Sequence, residues 1–207
     1  MTTEKYSTEQ ENFWAGSFGD RYIGRNSSEQ QQHSKMLLWG NMLSSANNID
    51  SVMEFGCNVG LNLIALRQLD PNIKLTAMEI HQEAAKQAAA SSGANVVNGS
   101  ILEPMDQLGT FDLTFTSGVL IHIDPDSLQK VYDNLYQKSN RYILVAEYYN
   151  PTPVSVNYRG NSERLFKRDF AGELIDKFNL KLVDYGFAYH RDNWMPEDDI
   201  TWFLLEN

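Results

Sequence analysis

Positive charge is in short supply: 17 lysines and arginines stand against 27 aspartates and glutamates, leaving a net charge of −10. That balance excludes a surface built to follow nucleic-acid phosphate, and no nucleic-acid partner is expected. Cysteine occurs once, at Cys57. No intrachain disulfide can form, and a reducing, cytoplasmic setting is expected. No apolar run approaches the roughly 20 residues of a membrane-spanning helix. The opening Met1-Thr2-Thr3-Glu4-Lys5 has neither the basic nor the apolar part of a secretory leader, so none is expected. Histidines, cysteine and acids nowhere fall at metal-ligand spacing, and no metal is expected. A G-x-S-x-G nucleophile elbow is missing, as are internal repeats and low-complexity tracts. What remains is an ordinary globular composition, 42% apolar and 21% charged, in 207 residues that suit one domain.

The informative stretch runs from Val52 to Asn62, V-M-E-F-G-C-N-V-G-L-N. A short apolar run carries an acid, Glu54, ahead of a turn bounded by Gly56 and Gly60, and Leu61 opens a helical pattern. Such a strand–loop–helix junction turns backbone amides and a helix N-terminus toward a nucleoside-bearing ligand. A dinucleotide site wants G-x-G-x-x-G. Positions 56, 58 and 61 here read Gly, Asn, Leu, so two of the three glycines are missing. The spacing E-x-G-x-N-x-G instead resembles motif I of class I methyltransferases that use S-adenosylmethionine (SAM) and release S-adenosylhomocysteine (SAH). Asn58 is a tolerable replacement because asparagine enters the left-handed region readily. An ordinary β–α turn that merely needs glycine is the plain alternative.

Taken in order, Thr8 to Trp14 starts with a capping-box pattern, and an aromatic, glycine-rich segment follows through Asn26. Residues 1–46 are expected to be a helical segment. It either packs over the domain edge or forms a lid, in which case Tyr22 and Arg25 touch cofactor or acceptor. Lys74–Ile80 reads as a strand ending near Glu79, about 20 residues past the glycine loop, where a carboxylate accepts ribose hydroxyls. His81 reads as a helix-start residue. After the short strand 94–98, many relatives of the motif place an aspartate for the adenine amine; Ser100 stands there instead, so contact is expected from its hydroxyl or from Ile101. Strand 110–117 ends at Ser117, bordering the same ligand, and Gly118–Ile123 leaves its C-terminal end. An amphipathic helix follows, with Leu128, Val131, Tyr132 and Leu135 on one face, and then strand 141–147. A helix over 168–178 and two strands, 180–190 and 201–206, close the chain. The alternation predicts an α/β Rossmann-like sheet of seven strands, mostly parallel, with a C-terminal antiparallel hairpin.

The tail carries a narrower resemblance. E-Y-Y-N-P-T-P (147–153), Y-R-G (158–160), R-L-F-K-R-D-F (164–170), Y-G-F (185–187) and D-D-I-T-W-F (198–203), with F-W-A-G (13–16), resemble the pseudaminic-acid-biosynthesis-associated methylase family. That resemblance implies a nonulosonic-acid or related sugar acceptor in bacterial surface-glycan synthesis. Residues 148–168 read as a long irregular substrate loop. Arg159, Arg164, Lys167 and Arg168 are the cations there, and guanidinium forks pair with carboxylate or phosphate. Tyr148, Tyr149 and Asn150, with Arg159, Arg164 and Arg168, are therefore the expected acceptor contacts, and the acceptor is expected to be small and anionic. His122 is the first candidate to take a proton from it and His190 the second; packing or helix initiation is the alternative for His122. Glu54, Gly56, Asn58, Gly60 and Glu79 are the expected cofactor contacts. A non-catalytic SAM-binding module, or a methyltransferase for an unrelated small molecule, is the competing reading, and a nicotinamide enzyme is disfavoured.

Overall fold

The computed structural model describes residues 6–23, 29–158 and 160–207. Arg25 and Arg159, both expected at the site, lie outside the described residues. The sheet has seven strands: β1 (Ser51–Phe55), β2 (Lys74–Glu79), β3 (Asn95–Asn98), β4 (Phe111–Ser117), β5 (Ser139–Glu147), β8 (Lys181–Ala188) and β9 (Ile200–Glu206). Their order is β3-β2-β1-β4-β5-β9-β8. The first five are parallel, and β9 lies antiparallel to both β5 and β8. The expected Rossmann-like architecture and its antiparallel ending are both present. Strand order reverses between β1 and β4, which puts a crevice outside their C-terminal ends.

Alternation along the strands builds a core on each face of the sheet. Val52, Leu113, Leu144 and Leu204 face α3 (Glu29–Met42), α4 (Leu61–Leu69) and α5 (Gln82–Ser92). Their neighbours Met53, Ile143, Val145 and Leu205 face α6 (Leu128–Lys138) and α7 (Phe170–Phe178). Glu54 shares the parity of Val52, so its carboxylate enters the first face beneath α3 and α4. Two short helices, α1 (Glu9–Ala15) and α2 (Ser17–Ile23), lie over the strand C-termini. The capping box of α1 is complete: Thr8 Oγ1 accepts from Glu11 N, and Glu11 Oε2 accepts from Thr8 N.

The expected irregular loop 148–168 is in fact largely a hairpin. β6 (Val154–Tyr158) pairs antiparallel with β7 (Asn161–Lys167), Val154 opposite Lys167 and Val156 opposite Leu165. Val154, Val156 and Tyr158 alternate with polar residues, a period-two signal that the run of charged and turn-forming residues around Gly160 hides. Leu165 is buried against the second core, and that burial fixes the register.

Candidate active site

At the C-terminal end of β1 the chain turns sharply. Gly56, Asn58 and Gly60 all have left-handed φ values, of 80°, 47° and 84°. A Cβ on Gly56 would lie 2.8 Å from Val119 Cγ2, and one on Gly60 would lie 3.0 Å from Ala88 Cα. Glycine is required at both positions by conformation and by space. Gly56 N–H donates to Met78 O at 2.8 Å, tying the turn to β2. Asn58 N–H donates to Glu79 Oε2 at 2.7 Å, and His81 N–H donates to Glu79 Oε1 at 2.8 Å. Each carboxylate oxygen of Glu79 thus keeps a lone pair for a further donor, the requirement of two vicinal hydroxyls. His81 is the N-cap of α5, its ring accepting from Ala84 N.

Glu54 is the deepest acid. Trp39 Nε1 donates to Asn62 Oδ1 at 3.2 Å, which orients the amide so that Nδ2 donates to Glu54 Oε1 at 2.6 Å. Glu54 Oε2 is buried with no partner, although the residue lines the cavity. Burial pushes its carboxyl up to about 8, with Asn62 and then Lys35 pulling the other way. Burial also raises Glu79, against the N–H bonds from His81 and Asn58 that favour its charged form. Cys57 is buried beside both acids, and its thiol is pushed far up by burial first and by their charge second. It is no nucleophile.

The cavity over these strand ends has a volume of about 580 Å³, within the roughly 300–1,000 Å³ of small-molecule sites. One part of its lining, with Glu54, Gly56, Asn58, Glu79 and Ser100, comes from β1, β2 and the turns after β1 and β3. Its other end lies over β4, β5 and β9, walled by Tyr148, Tyr158, His122, His190, Glu197 and Asp198. The roof is α1 and α2. Trp14 packs on His122 at 4.7 Å between ring centroids and on Tyr22 at 5.2 Å. Gly19 lets α2 settle on His81, since a Cβ there would fall 2.1 Å from Trp14 O and 2.7 Å from His81 Cδ2. Asp20 Oδ1 then meets His81 Nε2 at 3.1 Å. Glu11 reaches down to accept from the Ser100 hydroxyl.

Both histidines line the cavity. His122 Nδ1 donates to Arg164 O at 2.6 Å, because a carbonyl only accepts, and this leaves Nε2 as an acceptor. Burial holds the ring down at about 4, so it is neutral at pH 7. His190 Nδ1 lies 2.7 Å from Asp199 Oδ1, and the His190 bonds hold that carboxyl below its usual range. Beneath the second end, Glu147 gathers the N–H groups of Val119 and Leu120, each at 3.0 Å, and of Ile121 at 3.4 Å. It fixes the turn that carries His122.

Residues 53–139, the segment from β1 to the start of β5, match the family described as a methyltransferase domain. The chain carries a class I, SAM-dependent methyltransferase domain. The matched segment is less than half of the 207 residues. Over nearly the whole length the methyltransferase is similar in fold to the magnesium protoporphyrin IX methyltransferase of Synechocystis PCC 6803, solved with bound SAM. That likeness has a TM-score of 0.70 at 11% identity, covering 99% of this chain and 100% of that one. It is also similar to the N-methyltransferase NodS of Bradyrhizobium japonicum WM9 in complex with SAH, at 0.62 and 16%, covering 96% of each. The glycopeptide N-methyltransferase MtfA with SAH aligns at 0.63 and 10%, covering 93% and 98%. No curated protein matches the chain. Among the described residues no group of His, Cys, Asp or Glu is placed to hold a metal ion. No described helix is long and apolar enough to cross a membrane.

Of the residues expected at the methyltransferase's cofactor end, Glu54, Gly56, Asn58, Glu79, Ser100, Ile101, Ser117 and Tyr22 line the cavity. Gly60 is the N-cap of α4 just behind it. The Ser100 hydroxyl, expected to meet the ligand, is spent on Glu11 and Leu102 N. At the acceptor end, His122, His190 and Tyr148 line the cavity. Tyr149, Asn150, Arg164 and Arg168 do not. Tyr149 lies against Phe203 outside, and the Asn150 amide bonds Thr152 O. Arg164 Nη2 meets Glu9 Oε2 at 3.0 Å, and Arg168 Nη2 meets Glu173 Oε1 at 2.6 Å. These guanidinium groups were expected at the acceptor because of their type. Acids elsewhere in the chain claim them. The expectation missed Glu11, Trp14, Lys35, Glu147, Glu197, Asp198 and Asp199, and only the capping-box position of Glu11 and the strand-end position of Glu147 carried any signal.

Proposed function

We propose that the protein transfers the methyl group of SAM to a nitrogen or oxygen of a small, sugar-type acceptor, and that it works in the cytoplasm. Glu54 carries the cofactor part of this reading. A fully buried carboxylate oxygen without a partner, aimed into the cavity beside a glycine loop, suits the ammonium of SAM. Glu79 suits the ribose hydroxyls, each of its oxygens keeping a lone pair beyond the bonds from Asn58 N and His81 N. Bound SAM supplies an activated sulfonium methyl group, so the protein's task is alignment and exclusion of water. The roof of Trp14, Phe18 and Tyr22 performs the exclusion. His190 takes the acceptor's proton on Nε2, with Asp199 behind Nδ1 to stabilise the resulting imidazolium. His122, held neutral, accepts a hydrogen bond and orients the acceptor. The similar structures include N-methyltransferases, which favours nitrogen. The sugar part rests on the tail segments that resemble the pseudaminic-acid-associated methylases. An anionic sugar loses two of its expected contacts, because Arg164 and Arg168 pair with Glu9 and Glu173.

The test is calorimetric titration with SAH, with NAD as control, followed by methyl transfer to candidate acceptors. Tight SAH binding without NAD binding is expected. Binding of NAD in its place overturns the cofactor reading, and SAH binding with no transfer to any acceptor leaves a binding module.

A further inference from the structure

We infer that the acceptor end of the cavity selects an amine-bearing molecule and rejects carboxylates and phosphates. The inference rests on the SAM reading and adds the charge class of the second substrate. Among the described residues lining the cavity, five are acids, Glu11, Glu54, Glu79, Glu197 and Asp198, and Lys35 is the sole lysine or arginine. Lys35 is already engaged, its Nζ 3.1 Å from Glu197 Oε2. An anionic acceptor needs a fixed cation within hydrogen-bond reach, and neither Arg164 nor Arg168 offers one. Glu54 and Glu79 belong to the cofactor end. Glu11 is occupied by Ser7, Thr8 and Ser100. That leaves Asp198 at the acceptor end, accepting from Tyr148 Oη at 3.1 Å through one oxygen while the other stays open. Tyr158, Tyr22 and Trp14 line the same cavity, and aromatic rings attract a cation; the Tyr148 ring already carries Lys167 Nζ at 5.1 Å. A carboxylate amid aromatic faces is the chemistry of ammonium recognition.

The same groups handle the reaction. An ammonium seated on Asp198 loses one proton to His190 Nε2. The freed nitrogen lone pair forms the new N–C bond as the C–S bonding pair returns to sulfur. The product is a methylated ammonium, and the second positive charge rests on the His190 imidazolium until solvent takes the proton.

The experiment uses the full chain saturated with SAH and reads binding by calorimetry. Two matched sets serve as probes: glucosamine, glucose and glucuronic acid; and ethanolamine, ethylene glycol and glycolate. Amines are expected to bind at least about tenfold more tightly than their neutral and anionic partners, and to weaken as salt rises. Asp198→Asn should remove that preference while SAH affinity stays unchanged. Equal or better binding of the anions, or no binding of either amine, overturns the inference. Loss of SAH binding by the wild-type chain would instead strike the SAM reading, so the two failures are distinct.

Discussion

Replacing Glu54 by glutamine removes a charge that the free protein holds in reserve, and binding thermodynamics can read it. With the carboxyl pushed up to about 8, roughly ten of eleven molecules carry it neutral at pH 7. An ammonium arriving at Oε2 favours the ionised form. Binding of SAH, which keeps the ammonium and lacks the sulfonium charge, should therefore release about 0.9 proton at pH 7. Ionising the group one unit below its pKa costs about 1.4 kcal/mol. A charge-assisted hydrogen bond returns about 1.5–3 kcal/mol. The net gain is about 0.1–1.6 kcal/mol, so Glu54→Gln weakens SAH at most about 15-fold at pH 7 while abolishing proton release. Glutamine keeps the oxygen that accepts from Asn62, so the fold is spared. Titrations at one pH in buffers of different ionisation enthalpy give the proton number as a slope. A wild-type slope of zero, or an unchanged slope in Glu54→Gln, refutes the ammonium contact.

Glu79→Ala should weaken SAH by about 3–6 kcal/mol, two lost charge-assisted bonds to ribose; equal affinity by calorimetry would remove the ribose role. Gly19→Val should drive α2 off His81 and weaken SAH at least tenfold; hydrogen exchange over residues 6–23 should rise in the same variant. His190→Gln should lower kcat with little change in SAH affinity, whereas an unchanged kcat returns the proton to solvent. Glu147 predicts a stability trend. Burial holds its carboxyl up at about 7 in the fold, against 4.5 for an ordinary glutamate. The folded state therefore holds the proton more tightly, and a contribution of order 3 kcal/mol, fully present below about 4.5, is lost as pH rises through about 7. Denaturation of the free protein at pH 5 and pH 8 should show that fall, and Glu147→Gln should reduce it, the remainder belonging to Glu54.

The sheet was legible because its signals are local. Strands and helices alternate with clean periods, and Glu54 and Glu79 announce themselves as acids in apolar strands flanking a glycine turn. The hairpin β6–β7 was hidden because its period-two pattern spans only Val154, Val156 and Tyr158 before polar residues intervene. The acceptor end was less legible for a different reason. Arg164 has its direction set by Glu9, 155 positions away, and Ser100 by Glu11, 89 positions away. Nothing near either residue in the sequence encodes that pairing. Residue type suggested an anion site, and long-range charge partners turned the guanidinium groups elsewhere.

Helix α1 has seven residues, far short of the roughly 12–15 that hold a helix in water. It is helical because it is seated, through Glu11 on Ser100, Glu9 on Arg164 and Trp14 on His122. Its folding and its docking are thus one event. Any ligand exchange that lifts this helix must melt it, and ligand capture must refold it. Association should accordingly show a heat-capacity change more negative than burial of the ligand alone explains. The excess is the calorimetric measure of how much of the roof reorders in each catalytic cycle.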